Sequence, residues 1–517
     1  MKPSDNNLFC TDLDSRPQPG RGTILVSGAS GYIGGRLVPE LLARGYRVRA
    51  MVRADSLAYR DRWPGAEIVV ADALDKEALK KALKGIYAAY YLIHSMLLGE
   101  KKFEQADIQT AINFREAADG NKIQRVIYLG GLGDGNALLS PHLRSRIQVS
   151  EELKKGSFPL TVLRAAIIIG SGSASYEIIK NLVKNLPIFF SPNWARTRCQ
   201  PIAIRDVVKY LVGVLETEET QGNSYDIGGP EILSYQLMMK TLAELMGKKR
   251  FFVPLPLSLS RLSAYITSLI TPVPARITLC LMGGCKNEVV CQDGSIRKVL
   301  CFQPLTYKEA VIRAMTREEQ DRIHTRWSDA YPPAYELALK LKELPEPPRY
   351  TSSYSLLTSK DRASLFNNIC KIGGKWGWFN SNLLWRLRGM IDRILMGVGT
   401  LRGRKSYSDL QVNDVIDFWR VEDLKPNEML LLRAEMKLPG KAWLKFNINP
   451  INPINPGKNQ NRLTIQAFFT TRSWWGKIYW YIFLPFHRFI FYDIIHQVEK
   501  RSEFYSPVRP QQGPNCI

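Results

Sequence analysis

At 517 residues the chain is too long to fold around a single core, so two or three domains are expected. A hydrophobic content of 45% with 23% charged residues excludes a disordered protein. The formal net charge of +23 favours anionic partners, whether phosphate-bearing cofactors, anionic lipid or nucleic acid. Residues 351–517 hold 24 Lys and Arg against 12 Asp and Glu, so they supply +12 of this charge.

The N-terminal residues 1–22 are polar and contain no apolar core. They do not resemble a signal peptide, and we expect a disordered lead-in. The eight cysteines show no zinc-binding spacing. Even the closest group fits no metal pattern: Cys280, Cys285, Cys291 and Cys301. Free thiols and a cytoplasmic location are therefore expected.

From residue 23 onward, short apolar runs alternate with helical periodicity. The predicted strands are TILVSG, YRVRAMV, AEIVVAD, IYAAYYLIHS, RVIYLGG and PLTVLRAAIIIG. Strands that alternate with helices at this pace predict βαβ units and a doubly wound parallel α/β sheet. We assign residues 23–335 to this domain, with a less regular, substrate-side segment from about residue 171.

The first strand leads into GASGYIGG, in which Gly28, Gly31 and Gly34 stand three residues apart before a helix. Such glycines permit a tight turn, a close approach of backbone to a diphosphate, and close packing of helix on strand. The free N–H groups of the helix N-terminus favour the anion. The sequence therefore predicts a dinucleotide site, which also includes the loop residues Ser30, Tyr32 and Ile33.

The end of the second strand distinguishes NAD from NADP. A carboxylate there binds ribose hydroxyls, whereas this chain has Arg53, whose guanidinium suits a 2′-phosphate. NADP is therefore the favoured cofactor and NAD the alternative. Arg53 could instead be a solvated loop residue that binds no cofactor. Asp72 follows the third strand, where it could accept from the adenine amino group or cap a helix.

Residues 336–360 contain KELPEPPRYTSSYS, whose proline and serine content predicts a linker. The domain assigned to 361–505 has a helical stretch, WFNSNLLWRLRGMIDRIL, and then candidate strands VIDFWRV, EMLLLRAEMKL, AWLKFNI and RLTIQAFFTT. These predict an antiparallel sheet, and a long aromatic helix from about 474 to 500 closes it. Residues 506–517 form a tail. No stretch reaches the ~18 uncharged apolar residues of a membrane-spanning helix.

GASGYIGG, Arg53, Asp72, QPIAIRDVVKYL and YDIGGPEILSY together resemble the short-chain dehydrogenase/reductase superfamily, most closely its atypical, NmrA-like branch. YYLIHSM, PHLRSR and LRAAIIIGSGSASYEIIK are similar to a group fused to a C-terminal domain of the START-like helix-grip type. The resemblance implies an NAD(P)-binding Rossmann domain followed by an α+β domain with an apolar cavity for a lipid-like ligand.

The superfamily's catalytic residues are a Ser after the fifth strand and a Tyr-x-x-x-Lys on the next helix, and this chain departs from both. Gly130-Gly131 replaces the serine, and His142-x-x-x-Arg146 occupies the spacing of the second motif. Histidine titrates near neutrality and could act as a general acid, whereas arginine could hold the nicotinamide ribose but not relay a proton. The alternative for His142 is a capping or surface residue.

Other candidates for the site lie near these motifs. His94 and Ser95 end the fourth strand, where they are expected to line the pocket, with His94 as a second candidate proton donor. A Tyr-x-x-x-Lys does occur at Tyr176 and Lys180, but it follows the sixth strand, and we interpret it as coincidence.

Three functions remain open from the sequence. The first is an NADP-dependent oxidoreductase acting on an apolar or lipid-like substrate. The second is a non-catalytic NADP(H)-sensing module, and the third is an isomerase or epimerase. Basic charge around the aromatic run from 474 to 491 suits peripheral contact with the inner face of a membrane, against the alternative of a helix that only covers the sheet. No nucleic-acid partner is expected, because no recognition motif accompanies the charge.

Overall fold

The chain divides into two units, Met1–Ala338 and Leu339–Ile517. A computed structural model describes residues 8–53, 57–95, 100–133, 139–255, 260–319, 325–330, 339–374, 376–404, 410–451 and 460–504. The division falls within the stretch 336–360, which the sequence predicts as a linker.

The first unit is an α/β domain built on parallel strands. In chain order its strands are β1 (Thr23–Ser27), β2 (Arg47–Val52), β3 (Glu67–Val70), β4 (Ile86–Tyr91), β5 (Arg125–Gly131), β6 (Leu160–Ala165), β7 (Ile168–Ile169), β8 (Ile188–Pro192), β9 (Arg198–Cys199), β10 (Ile202–Ala203), β11 (Ser224–Ile227), β12 (Leu233–Ser234) and β13 (Phe251–Leu255). Seven of them form one sheet in the order β11-β6-β5-β4-β1-β2-β3, with every pair parallel. The six strands predicted from the sequence are all present, and β11 is the addition.

Helices cover both faces of this sheet. The described α-helices of the first unit are α1 (Gly34–Ala43), α2 (Leu57–Arg62), α3 (Lys76–Ala82), α4 (Glu100–Gly120), α5 (Pro141–Lys154), α6 (Ala174–Asn185), α7 (Ile204–Glu216), α8 (Tyr235–Leu245), α9 (Ser260–Ile270), α10 (Ala275–Gly284), α11 (Ile296–Val299) and α12 (Tyr307–Glu319). One core joins the sheet to α1 and α7, and a second joins its other face to α3, α4 and α5. The expectation of a doubly wound Rossmann sheet is therefore confirmed.

The N-terminal segment from residue 8 to residue 22 is packed against this domain, so the prediction of a disordered lead-in over 1–22 is wrong for it. Phe9 and Cys10 are buried in the core that contains α1 and α7. Their backbone N–H groups donate to the buried carboxylate of Glu40, at 2.5 and 3.1 Å. Asp12 pairs with the buried Lys209 on α7. Two apolar side chains and a buried carboxylate thus anchor a segment whose overall composition is polar.

The second unit is an antiparallel sheet with helices. Its strands are β14 (Tyr350–Thr358), β15 (Val415–Ile416), β16 (Trp419–Lys425), β17 (Met429–Ala434), β18 (Lys441–Ile451) and β19 (Gln460–Thr470). Its helices are α13 (Arg362–Cys370), α14 (Asn382–Ile394) and α15 (Trp474–Lys500). The sheet order is β14-β19-β18-β17-β16-β15, with antiparallel pairing throughout. The predicted antiparallel sheet and closing helix are confirmed.

Strand β14 lies inside the stretch 336–360, so the predicted linker is too long at its C-terminal end. Along β14, half-buried and exposed residues alternate, and the strand pairs with β19 over its whole length. Serine and threonine at the exposed positions gave the stretch the composition of a linker. The second unit correspondingly begins at Leu339 and not at residue 361.

Helix α15 lies on the sheet through one side only. It buries Trp480, Phe491, Ile494 and Ile495, and it packs against β14 and β19. Among the helices that the structure describes, none is long and apolar enough to cross a bilayer.

Candidate functional site

A cavity of about 540 Å³ opens at the carboxyl ends of the parallel strands, beside β1 and β4. This is where the strand order reverses, and ligands of open α/β sheets bind at such points. All the site residues predicted from the sequence line it: Gly28, Ser30, Gly31, Tyr32, Ile33, Gly34, Arg53, Asp72, His94, Ser95, His142 and Arg146.

Two glycines of the loop between β1 and α1 are required by close packing of the backbone, and the third borders the cavity. Gly28 has φ +70°, and a Cβ there would lie 2.7 Å from the carbonyl oxygen of Leu92. A Cβ on Gly34 would lie 2.4 Å from the oxygen of Gly28, so helix and turn are in direct contact. A Cβ on Gly31 would meet only that same oxygen, at 3.1 Å, and its other side faces the cavity. The loop therefore fits a diphosphate at the N-terminus of α1.

Arg53 and Asp72 stand at adjacent strand ends on one wall of the cavity. Arg53 directly follows β2, as the sequence predicts. Asp72 Oδ1 accepts the N–H of Leu74 at 2.9 Å, whereas Asp75 caps α3. The helix-capping alternative for Asp72 is therefore wrong, and its second oxygen is available to a ligand.

The two glycines that replace the expected serine are held by packing. A Cβ on Gly130 would lie 3.1 Å from the Tyr128 ring. A Cβ on Gly131 would lie 3.3 Å from Leu143 and 3.6 Å from Arg146. Both glycines therefore lie in close contact with neighbouring side chains, and Arg146 is one of the neighbours of Gly131.

His94 is held by a carboxylate that sequence analysis missed. Its Nδ1 lies 3.2 Å from Oδ2 of Asp107, a buried residue of α4. Asp107 also accepts from the backbone N–H of Ser95, at 2.8 Å, and from the hydroxyl of buried Ser145, at 3.0 Å. These bonds orient the ring, so that Nδ1 carries the proton and donates to Asp107. The Nε2 of His94 is buried and has no hydrogen-bond partner among the described residues.

The electrostatics of the pair keep the imidazole neutral and the carboxylate charged. Burial, reinforced by the positive charge of Arg146, lowers the pKa of His94 to about 4. Burial alone would raise the pKa of Asp107, but the bond to His94 and the charge of Arg146 hold it well below its usual range. At neutral pH, Nε2 therefore offers a lone pair and no proton.

His142 and Arg146 lie one turn apart on α5, and both face the cavity. The ring centroids of His142 and His94 are 5.1 Å apart. Ser140 caps α5, and Nδ1 of His142 is buried without a partner among the described residues, so the capping or surface alternative for His142 is wrong. Burial lowers the pKa of His142, and the neighbouring His94 and Arg146 lower it further.

The Tyr-x-x-x-Lys of α6 belongs to the core. Tyr176 is fully buried in an apolar cluster and is absent from the cavity lining. Lys180 pairs with Glu177, one turn earlier. The buried position of Tyr176 and the ion pair of Lys180 agree with the interpretation that this Tyr-x-x-x-Lys matches the superfamily motif by coincidence.

Part of the cavity wall is apolar and comes from residues beyond 171. This part includes Trp194, Tyr235, Met239, Ile277, Leu281 and Trp327. Such a wall suits an apolar ligand.

A short segment near the end of the first unit, 325–330, is fastened to the glycine loop. The buried guanidinium of Arg36 donates to the carbonyls of Thr325 and Ser171, at 3.2 and 2.8 Å. Thr325 Oγ1 donates to the carbonyl of Tyr32 at 2.8 Å, and the Trp327 N–H donates to that of Gly172 at 2.9 Å. The segment thereby brings Trp327 into the cavity wall, some 300 residues after the loop it contacts.

Curated relatives match about half of the chain. Divinyl chlorophyllide a 8-vinyl-reductase of Zea mays is 26% identical over 254 residues, which cover 46% of this chain and 62% of that protein. Photosystem II assembly factor Ycf39 of Trieres chinensis is 24% identical over 245 residues, which cover 47% of this chain and 75% of that protein. The chain thus spans less than two thirds of the maize reductase.

Among solved structures, the triphenylmethane reductase of Citrobacter sp. in complex with NADP(H) aligns with a TM-score of 0.47 and 20% identity, covering 56% of this chain and 99% of that one.

Family models match both units. Residues 345–494 match a protein family of unknown function, DUF2867, and residues 20–297 match the NmrA-like family. The second match covers more than half of the chain and includes the glycine loop and both histidines. The chain belongs to the NmrA-like family.

Proposed function

We propose that the protein is an NADP-dependent oxidoreductase that acts on an apolar substrate in the cavity of the first unit. The observation that carries the proposal is the Asp107–His94 pair, whose unpartnered Nε2 shares one cavity with the glycine loop. A coenzyme-binding loop alone accounts for binding. A buried histidine oriented by a carboxylate adds a group that can exchange a proton.

Each group of residues at the site has a separate role in this proposal. The glycine loop and the N-terminus of α1 would hold the diphosphate, and Arg53 the 2′-phosphate. The bound coenzyme supplies or accepts the hydride. When a substrate hydroxyl is oxidised, His94 Nε2 accepts its proton and Asp107 stabilises the imidazolium that forms. In the reverse direction the neutral ring first takes a proton from water, and the imidazolium then gives that proton to the substrate oxygen. Arg146 stays charged throughout, so it holds an anionic or hydroxyl group without exchanging protons.

A non-catalytic sensor of NADP(H) is the second candidate, and one observation favours it. Both cavity histidines have lowered pKa values, so neither carries a donatable proton in the resting protein at neutral pH. An isomerase or epimerase would need the same proton exchange and depends on the same residues.

Turnover separates these functions. NADPH consumption is measured with quinones, enones and aldehydes, and NADPH affinity is measured independently by titration.

We expect His94→Gln to lower kcat by about 10²–10⁴-fold, the usual contribution of a general acid or base, while NADPH affinity is kept. We expect Asp107→Asn to lower kcat as well and to shift its pH profile, because the carboxylate raises the pKa of His94. Tyr176→Phe is the control, since this tyrosine lies outside the cavity. Tight NADPH binding without turnover on any substrate would establish the sensor.

We also infer a START-like helix-grip arrangement in the second unit, with an apolar ligand between the sheet and α15. The antiparallel sheet and the 27-residue helix packed against β14 and β19 support it. Native mass spectrometry of the full chain tests it: an apolar small molecule should be released on denaturation. Mass spectra that contain only the coenzyme would contradict a ligand-binding second unit.

A further inference from the structure

Helix α14 of the second unit presents its apolar side to solvent. Leu383, Leu387, Ile391 and Ile394 recur at helical spacing along one face, and all are exposed, Leu383 to 77%. On the opposite face Gly389, Asp392 and Arg393 are buried.

This arrangement is the reverse of a surface helix in a water-soluble domain, which buries its apolar stripe. The polar residues of the inward face are satisfied by the unit itself. Asp392 accepts the N–H groups of Gly399, at 2.8 Å, and Lys437, at 2.6 Å. The inward side of α14 is therefore fixed by its own contacts within the unit. The exposed apolar residues on the outward side do not contribute to the packing of the helix.

Helix α15 carries a second exposed apolar stripe, opposite the face that lies on the sheet. It consists of Trp474, Trp475, Tyr481, Ile482, Phe489 and Tyr492. Trp474 and Trp475 stack on each other with ring centroids 4.0 Å apart and are about 60% exposed. Large aromatic side chains with a polar edge are enriched where an apolar phase meets water.

The start of α14 is held against α15 by hydrogen bonds. Ser381, which precedes that helix, donates from its N–H and its hydroxyl to Asp493 of α15, at 2.9 and 2.8 Å. Asn380 donates to the same carboxylate. Leu383 follows this junction by two residues, and Tyr492 lies beside Asp493. These bonds join the two helices within the second unit, and we name their exposed apolar residues together the apolar face.

The charges around the apolar face have a single sign. Within residues 376–404 and 471–493 the acidic residues are Asp392 and Asp493, and both are buried in the bonds just described. The exposed charged residues beside the stripes are Arg386, Arg472, Lys477 and Arg488. Two copies that met through this face would bring like charges together, which disfavours self-association.

We propose that the apolar face binds the headgroup boundary of a bilayer that contains anionic lipid. Its aliphatic and aromatic side chains would enter the acyl boundary, and the four basic residues would contact anionic headgroups. The contact is peripheral, because the described helices include none that could span the membrane. This contact would hold the protein at the bilayer, in which apolar substrates dissolve. The proposal does not depend on whether the first unit catalyses a reaction.

Flotation of the full chain with vesicles tests this proposal. Vesicles of phosphatidylcholine alone are compared with vesicles that also contain phosphatidylglycerol, at low and high salt. We expect binding to the anionic vesicles that weakens with salt. The double variant Trp474→Ser, Trp475→Ser should bind more weakly by at least about tenfold, since two large apolar side chains leave the interface. The double variant Lys477→Glu, Arg488→Glu should lose the preference for anionic vesicles.

Matched controls keep the result specific. Leu237→Ser and Lys154→Glu change an exposed apolar and an exposed basic residue of the first unit, and both should bind as the wild type does. Circular dichroism melting establishes that each variant is folded. Wild-type protein that floats with neither vesicle type, or variants that float equally well, would overturn the proposal. So would a wild-type dimer that the tryptophan variant converts to a monomer, because the face would then cover a second copy.

Discussion

His94 shows how burial determines what a single side chain can do. Its ring is shielded from water, so the charged form is disfavoured and the pKa falls to about 4. Asp107 partly opposes this effect, since a carboxylate next to the ring stabilises the imidazolium. The histidine is therefore a base in the resting protein, and it can act as an acid only after it has taken a proton from a substrate or from water. This revises the proton donor that the sequence suggested.

The lowered pKa of His94 makes stability depend on pH. The unfolded chain protonates this histidine below its ordinary pKa of 6.5, while the folded protein stays neutral until pH approaches 4. The free energy of unfolding should therefore fall as pH decreases through this window, with His94 contributing about 2 kcal/mol of the loss between pH 8 and pH 5. Denaturant titrations of the wild type and of His94→Gln check this. The variant should show the smaller loss, and equal losses would contradict the assignment.

Arg53 carries the choice of coenzyme. Arg53→Ala should weaken NADPH binding by about 10–100-fold, the effect of losing a hydrogen bond between charged groups, and leave NADH binding nearly unchanged. Isothermal titration with both coenzymes measures the two affinities. Arg49→Ala, on the same strand but paired with Glu67, is the control. If Arg53→Ala keeps the wild-type preference for NADPH over NADH, another group binds the 2′-phosphate.

Some residues of the site were predictable and others were not, for a physical reason. Gly28 and Arg53 stand at fixed places relative to a strand, so their roles follow from spacing along the chain. Asp107 lies on a helix among other polar residues, and nothing in its neighbourhood distinguishes a buried carboxylate from a solvated one. Its role depends on the packing of α4 beside the end of β4, which only the tertiary structure establishes.

At the scale of elements, the N-terminal segment acts as part of the domain core. Phe9 is buried in the core that contains α1 and α7, and its removal leaves a cavity. We expect Phe9→Ala to lower the free energy of unfolding by about 3 kcal/mol. Phe251→Ala, at a side chain that is largely exposed, should have a much smaller effect. Urea denaturation measures both, and an unchanged midpoint for Phe9→Ala would mean that the segment is not anchored in solution.

Strands were predicted well where apolar runs are continuous and poorly where local geometry intervenes. The six predicted parallel strands are short apolar runs, and most of their residues apart from those of β3 are buried, so the sequence shows them directly. VIDFWRV reads as one strand but forms β15 and β16, because the chain turns at Asp417, where φ is +55°. The carboxylate of Asp417 accepts the indole N–H of Trp378 at 2.7 Å, a long-range contact that holds this turn. No pattern in the sequence near Asp417 predicts such a bond.

At the scale of the whole molecule, the structural unit extends beyond the family match. The NmrA-like match ends at residue 297, yet Tyr307, Val311 and Ala314 of α12 are buried in the core behind the cavity. A chain that ends at residue 338 should fold and bind NADPH, whereas one that ends at residue 297 should not. Thermal melting and NADPH titration of the two chains check this. Equal binding by both would show that α12 and the 325–330 segment are dispensable.

The bonds from Arg36 and Tyr32 to Thr325 have a consequence for how such a two-unit protein could evolve. The coenzyme loop and the segment that closes its site are encoded nearly 300 residues apart, yet they contact each other directly. A recombination event that joined a new C-terminal unit directly after residue 297 would separate the loop from its own wall. Exchange of the second unit is therefore compatible with an intact site only downstream of residue 330, and sequences that share this arrangement should keep Arg36 and Thr325 together whichever unit follows.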